Sequence, residues 1–118
     1  MSYLGDFTRG QTIRDTFNSR ALSGAPITLA GEPALAVYKD GSVEETATGA
    51  SLTVDFDSVT GHHLFTVVTT DAFYTPGADY RVVLTAGTVD GVSVVGEKVG
   101  SFSIENRSDQ SIKKNAFL

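Results

Sequence analysis

Ser51-Leu52-Thr53-Val54-Asp55-Phe56-Asp57 alternates without a break, with Leu52, Val54 and Phe56 on one side and Thr53, Asp55 and Asp57 on the other. Successive side chains of an extended chain point to opposite faces, so a period of two with one apolar side marks a strand half buried against a core. The same pattern recurs towards the carboxy terminus. Thr60-Gly61 turns the chain into a strand at His62–Thr70, and Thr75-Pro76-Gly77-Ala78 turns it again into Asp79–Ala86. In that last segment Tyr80, Val82 and Leu84 alternate with Arg81, Val83 and Thr85. Val89–Val95, interrupted by Asp90-Gly91, and Lys98–Asn106 complete the series. Val99 and Phe102 are out of phase, which predicts a bulge at Gly100-Ser101.

Towards the amino terminus, Asp40-Gly41 is a hairpin dipeptide that joins a strand at Ala34–Lys39 to a short polar edge strand at Ser42–Ala47. Gly31-Glu32-Pro33 and Ser23-Gly24-Ala25-Pro26 are breaks, because Pro fixes φ and withholds a donor. Gln11–Asn18 places Ile13 and Phe17 on one side, with Asp15 among them. Short strands separated by turns every eight to twelve residues, with no convincing helical periodicity, predict an all-β fold. The reading is an immunoglobulin-like antiparallel β-sandwich of about seven to eight strands with flexible termini, the alternative being a small β-barrel. Residues 1–10 read as an amino-terminal arm, 11–107 as the sandwich and 108–118 as a carboxy-terminal tail. Leu52, Val54, Phe56, Tyr80, Val82, Leu84, Phe102 and Ile104 are the expected core. Tyr80 reads equally as a plain core aromatic or as a tyrosine corner of the kind found in such sandwiches.

A chain of 118 residues suits one domain. Its net charge of −5 argues against nucleic acid as a partner, since phosphates repel an acidic surface without a basic patch. With no Cys there is no disulfide framework, thiolate metal site or cysteine nucleophile. No apolar run approaches the roughly 18 residues of a membrane span.

Few residues offer chemistry. His62-His63 is the histidine cluster, but neighbours on a strand face opposite ways and cannot close on one metal, so both read as exposed histidines after a turn. Asp55 and Asp57 share a face and with Asp71, Asp79 or Asp90 could offer oxygens to calcium, yet their spacing matches no known loop and reads as a solvated acidic face. Gly91–Lys98 nearly writes a phosphate-binding loop, but Glu97 separates Gly96 from Lys98 and β-branched residues surround it. No nucleophile elbow is present. No catalytic residue, cofactor or metal is therefore expected.

Several stretches taken together resemble a known group. They are Tyr3-Leu4-Gly5-Asp6-Phe7, Leu29-Ala30-Gly31-Glu32-Pro33, Val37-Tyr38-Lys39-Asp40-Gly41, and Leu52 through Gly61. Phe73-Tyr74, Pro76-Gly77, Val89 through Gly96 and Gly100 through Arg107 follow in order. The set, over residues 3 to 107, resembles small tailed-bacteriophage virion proteins and the amino-terminal modules of phage fibre-type structural proteins. The resemblance implies a non-enzymatic virion structural protein made in the bacterial host cytoplasm. It would attach to repeated sites on the particle as a capsid decoration, neck or tail accessory subunit, with other virion proteins as partners and a homo-oligomer open on a symmetric particle. The competing expectation is a sandwich that binds host-surface carbohydrate, for which Tyr3, Tyr38 and Tyr74 are the candidate stacking aromatics.

Both ends carry apolar groups with no evident place in the sandwich, and these are the expected interface residues. Tyr3, Leu4 and Phe7 lie in the amino-terminal arm. Ile112, Lys113, Lys114, Phe117 and Leu118 lie in the tail.

Overall fold

Nine strands in two facing sheets make up the computed structural model, which describes residues 3–106. The strands are β1 (Tyr3–Phe7), β2 (Thr12–Asn18), β3 (Ala30–Lys39), β4 (Glu45–Thr46), β5 (Ala50–Thr53), β6 (His62–Val68), β7 (Ala78–Val89), β8 (Val92–Ser93) and β9 (Lys98–Ile104). The larger sheet runs β1-β9-β7-β3-β4, with β8 paired to the end of β7, and the smaller runs β2-β6-β5. The expected sandwich is present, with one more strand than expected and one parallel pair, β1 with β9, in an otherwise antiparallel arrangement.

The core lies between the sheets. Tyr80, Val82, Leu84, Phe102 and Ile104 from the larger sheet meet Ile13, Phe65 and Val67 from the smaller one. β9 approaches β6 so closely that a Cβ on Gly100 would lie 3.0 Å from Cζ of Phe65. The predicted bulge sits here: Val82 pairs with Gly100 but Val83 with Lys98, so Val99 is the extra residue and both Val99 and Gly100 turn inward.

Tyr80 satisfies both of its readings. Its ring stacks on Phe102, with centroids 5.2 Å apart and planes 19° from parallel. Its hydroxyl accepts the backbone N–H of Thr75 at 2.7 Å, tying the turn before β7 to the strand as a tyrosine corner does. Asp90 and Gly91, both at positive φ, form the two-residue turn that pairs Val89 with Val92. The β3–β4 hairpin is looser than a two-residue turn, since the closing bond runs from Lys39 N–H to Glu44 C=O.

Three expectations are corrected. The strand read through Asp57 stops at Thr53. Asp55 adopts a left-handed conformation, and Phe56–Ser58 form a 3-10 turn. The reason is local: Asp55 Oδ1 accepts the Gly61 N–H at 2.9 Å and Oδ2 accepts the Thr28 hydroxyl at 2.6 Å. That turn chemistry outweighs the alternation and leaves Phe56 39% exposed, outside the core, while Leu52 and Val54 pack at its margin. Residues 3–7 are not a free arm. β1 pairs with β9, and Leu4 and Phe7 pack on the core. His63 is fully buried rather than exposed, because β6 turns its odd-numbered residues inward.

Candidate functional site

Two surfaces of the sandwich are candidates for a functional site. The first is the free edge of the smaller sheet. β2 pairs with β6 through its odd-numbered residues, as Thr69 N–H to Gln11 C=O and Ser19 N–H to Gly61 C=O show at the two ends. The backbone groups of Thr12, Arg14, Thr16 and Asn18 therefore point away from β6, and no strand among the described residues pairs with them. Where β2 ends, the two sheets part around a cleft of about 260 Å³ lined by apolar Phe17, Leu29, Leu84, Val89 and Val94 and by polar Asn18, Ser19, Arg20 and Glu97. Asp15, half-buried between Ile13 and Phe17 on the inner row of this edge, penalises pairing with an indiscriminate apolar strand.

The second surface is the outer face of the larger sheet. Register places one row across four strands: Tyr38 opposite Arg81, Arg81 opposite Ser101, and Ser101 opposite Tyr3. The Arg81 guanidinium lies over the Tyr38 ring, 5.6 Å from its centroid. The same guanidinium donates to the Asp40 carbonyl. Donation of the Tyr38 hydroxyl to the Glu45 carboxylate, opposite on β4, and some desolvation push the Tyr38 phenol up. The row below is acidic. Asp79 faces Ser103, Ser103 faces Asp6, and Asp40 closes the row by donating its N–H to the Asp79 carbonyl. Ser103 is covered because its hydroxyl bonds Asp6 Oδ1 at 2.5 Å and the Tyr3 hydroxyl at 2.7 Å, which fixes the half-exposed Tyr3 ring beside the groove. Lys98 stands at the opposite end, beside Val83. The groove between these rows has a volume of about 470 Å³.

The histidines and aspartates serve the fold instead. Asp55 N–H donates to His63 Nδ1 at 3.1 Å, so the ring proton sits on Nε2, 2.7 Å from Ser19 Oγ, and that hydroxyl in turn donates to the Ile27 carbonyl at 2.5 Å. This network needs a neutral imidazole, because a second ring proton would face an N–H. Burial holds the His63 pKa below its ordinary 6.5, against the smaller opposing pull of the Asp55 carboxylate. Asp55 itself is held below the usual carboxylate range, first by the Thr28 hydroxyl and then by the Gly61 N–H. Among the described residues no group of three or more His, Asp or Glu is placed to hold a metal.

A pH dependence follows from His63. Below about pH 6.5 the unfolded chain binds a proton that the native chain refuses, so His63 leaves stability unchanged above that pH and lowers it progressively below. Urea denaturation at pH 7.5 and 5.5 measures the difference. His63→Gln should flatten it, whereas an undiminished fall in that variant would assign it to other groups. Asp55 acts in a separate window, its contribution being lost only as pH falls below about 3.8.

Of the expected interface residues, Tyr3 lines the outer groove, while Leu4 and Phe7 are turned to the core. Ile112, Lys113, Lys114, Phe117 and Leu118 lie outside the described residues. Of the three candidate stacking aromatics, Tyr74 is fully buried, with burial pushing its phenol pKa far up, and cannot meet a ligand. Tyr38 and Tyr3 flank the outer row. Arg81, Lys98 and Ser101 escaped the sequence reading because strand order, not chain order, brings them together. Their one sequence signal is that Arg81 occupies a polar position in an alternating strand. No protein-family model matches the chain, and neither a curated protein nor a solved structure does.

Proposed function

We propose that the chain is a non-enzymatic structural subunit of a tailed-bacteriophage particle, attaching to repeated sites on the capsid, neck or tail. The observation that supports this most is the open edge of β2 beside the cleft between the sheets. A strand added to such an edge takes its affinity from main-chain hydrogen bonds and its specificity from a side chain placed in the neighbouring pocket. Repetition around a symmetric particle then multiplies a modest single contact. The ordered stretches that resemble phage virion proteins point the same way.

The test is co-sedimentation of the purified chain with particles of the phage that encodes it. Thr16→Pro removes an N–H that points away from β6, so the variant should fold while its loading drops by about tenfold, the loss of one or two main-chain bonds. A folded Thr16→Pro variant that loads to wild-type occupancy would exclude the β2 edge. A chain that sediments with no particle component would exclude the structural role. A second reading, a module for host-surface carbohydrate, is supported by one feature, the row that runs Tyr38, Arg81, Ser101, Tyr3.

A further inference from the structure

We infer that the groove on the outer face of the larger sheet binds a carboxylate-bearing pyranose, a uronic-acid residue of a surface polysaccharide. The inference rests on the carbohydrate reading of that face and is independent of how the chain attaches to a particle.

Three features converge on this ligand. The Tyr3 ring, 49% exposed and held by its hydroxyl on Ser103, offers a fixed flat surface at one wall, suited to the apolar face of a sugar ring. At one end the Lys98 ammonium makes no hydrogen bond or ion pair with any described residue. Arg81, fixed over Tyr38, spends a donor on the Asp40 carbonyl, so its guanidinium stands towards the Asp40 end of the groove. The Lys98 ammonium, alone at its own end, suits a carboxylate. At the other end stand the Asp40 carboxylate, which already accepts the Asp79 N–H, and the Asp79 carboxylate, which already accepts the Asn106 amide; acceptors of this kind suit sugar hydroxyls and repel a second anionic group. A neutral sugar would leave the Lys98 ammonium unused, and a polyanion such as nucleic acid would meet the aspartates. The polarity along the groove therefore selects one acid and several hydroxyls on a single ring. Its volume of about 470 Å³ lies within the roughly 300–1,000 Å³ of small-molecule sites.

The experiment titrates the isotope-labelled full chain, observed by amide NMR, with methyl β-glucuronide, methyl β-glucoside and acetate in parallel. The glucuronide should shift amides around Arg81, Lys98 and Ser101 and bind about tenfold more tightly than the glucoside, the worth of one charge-assisted contact. Raising salt from about 0.05 to 0.5 M should erase most of that preference. Lys98→Gln, which keeps most of the side-chain stem, should do the same at low salt. The salt comparison on the unmodified chain stands even if that variant does not fold. Equal affinity for glucoside and glucuronide would overturn the acid preference and leave the carbohydrate reading standing. No shift with either sugar would overturn both. Acetate binding as tightly as the glucuronide at the same amides would show an anion site without sugar recognition, and overturns the inference as well.

Discussion

Phe102→Ala is expected to lower the unfolding free energy by about 3–5 kcal/mol, the range for truncating a buried aromatic. Phe102 is almost wholly buried on β9, stacked on Tyr80 and in edge contact with Phe7, centroids 6.4 Å apart. Tyr74 closes the cluster at 6.2 Å. Alanine would leave three rings facing a void that none can fill without a shift of its own backbone, so the cavity cost adds to the lost transfer energy. Phe56→Ala removes the same atoms from a ring 39% exposed on a 3-10 turn and should cost under about 1 kcal/mol. Urea denaturation of the two variants side by side checks this. Equal losses would mean that the cluster is less closely packed than the ring distances state.

Gly61→Ala should cost about 2–4 kcal/mol, for two separable reasons. The residue sits at φ +80°, where a side chain costs about 1 kcal/mol. Its Cβ would also stand 2.8 Å from Pro26 Cβ and 2.9 Å from both Ile27 N and Ser19 O, and overpacking of that kind costs roughly 1–3 kcal/mol more. The first is a carbon of a rigid proline ring, and the other two are backbone atoms that cannot step aside without disturbing the Ser19–Ile27 bond that anchors His63. Gly77 has a similar φ of +86° and open space around it, so Gly77→Ala isolates the conformational part. Melting temperatures should separate the two variants by several degrees, since about 1 kcal/mol moves a domain of this size by roughly 4 °C or more. Equal shifts would remove crowding as the cause.

What the sequence disclosed was set by how far each signal reaches along the chain. The alternation of Tyr80, Val82 and Leu84 predicted strand and buried face together, because both depend on neighbours two residues away. The mismatch between Val99 and Phe102 located the β9 bulge for the same reason. Leu52 to Asp57 carries an equally regular pattern, yet Asp55 is captured by Thr28 and Gly61, one of them 27 residues distant, and the alternation has no means to register that partner. The open edge of β2 was half legible: Asp15 broke an apolar row where an edge strand keeps a charge. The outer groove was not legible at all, since Tyr38, Arg81, Ser101 and Tyr3 become neighbours only once the strand order is known.

The parallel pairing of β1 with β9 sets Tyr3 opposite Ser101, so the first strand of the sandwich has its last strand as partner. At roughly 5–20 residues per second, the close to a hundred residues between β1 and β9 hold β1 without a neighbour for about 5–20 s. During that interval the β3–β7 and β2–β6 pairs, whose strands are closer in sequence, can already form. Chains halted before residue 98 should therefore leave residues 3–7 open to proteases, and their protection becomes a clock for the synthesis of β9. β1 is placed only when β9 is in hand.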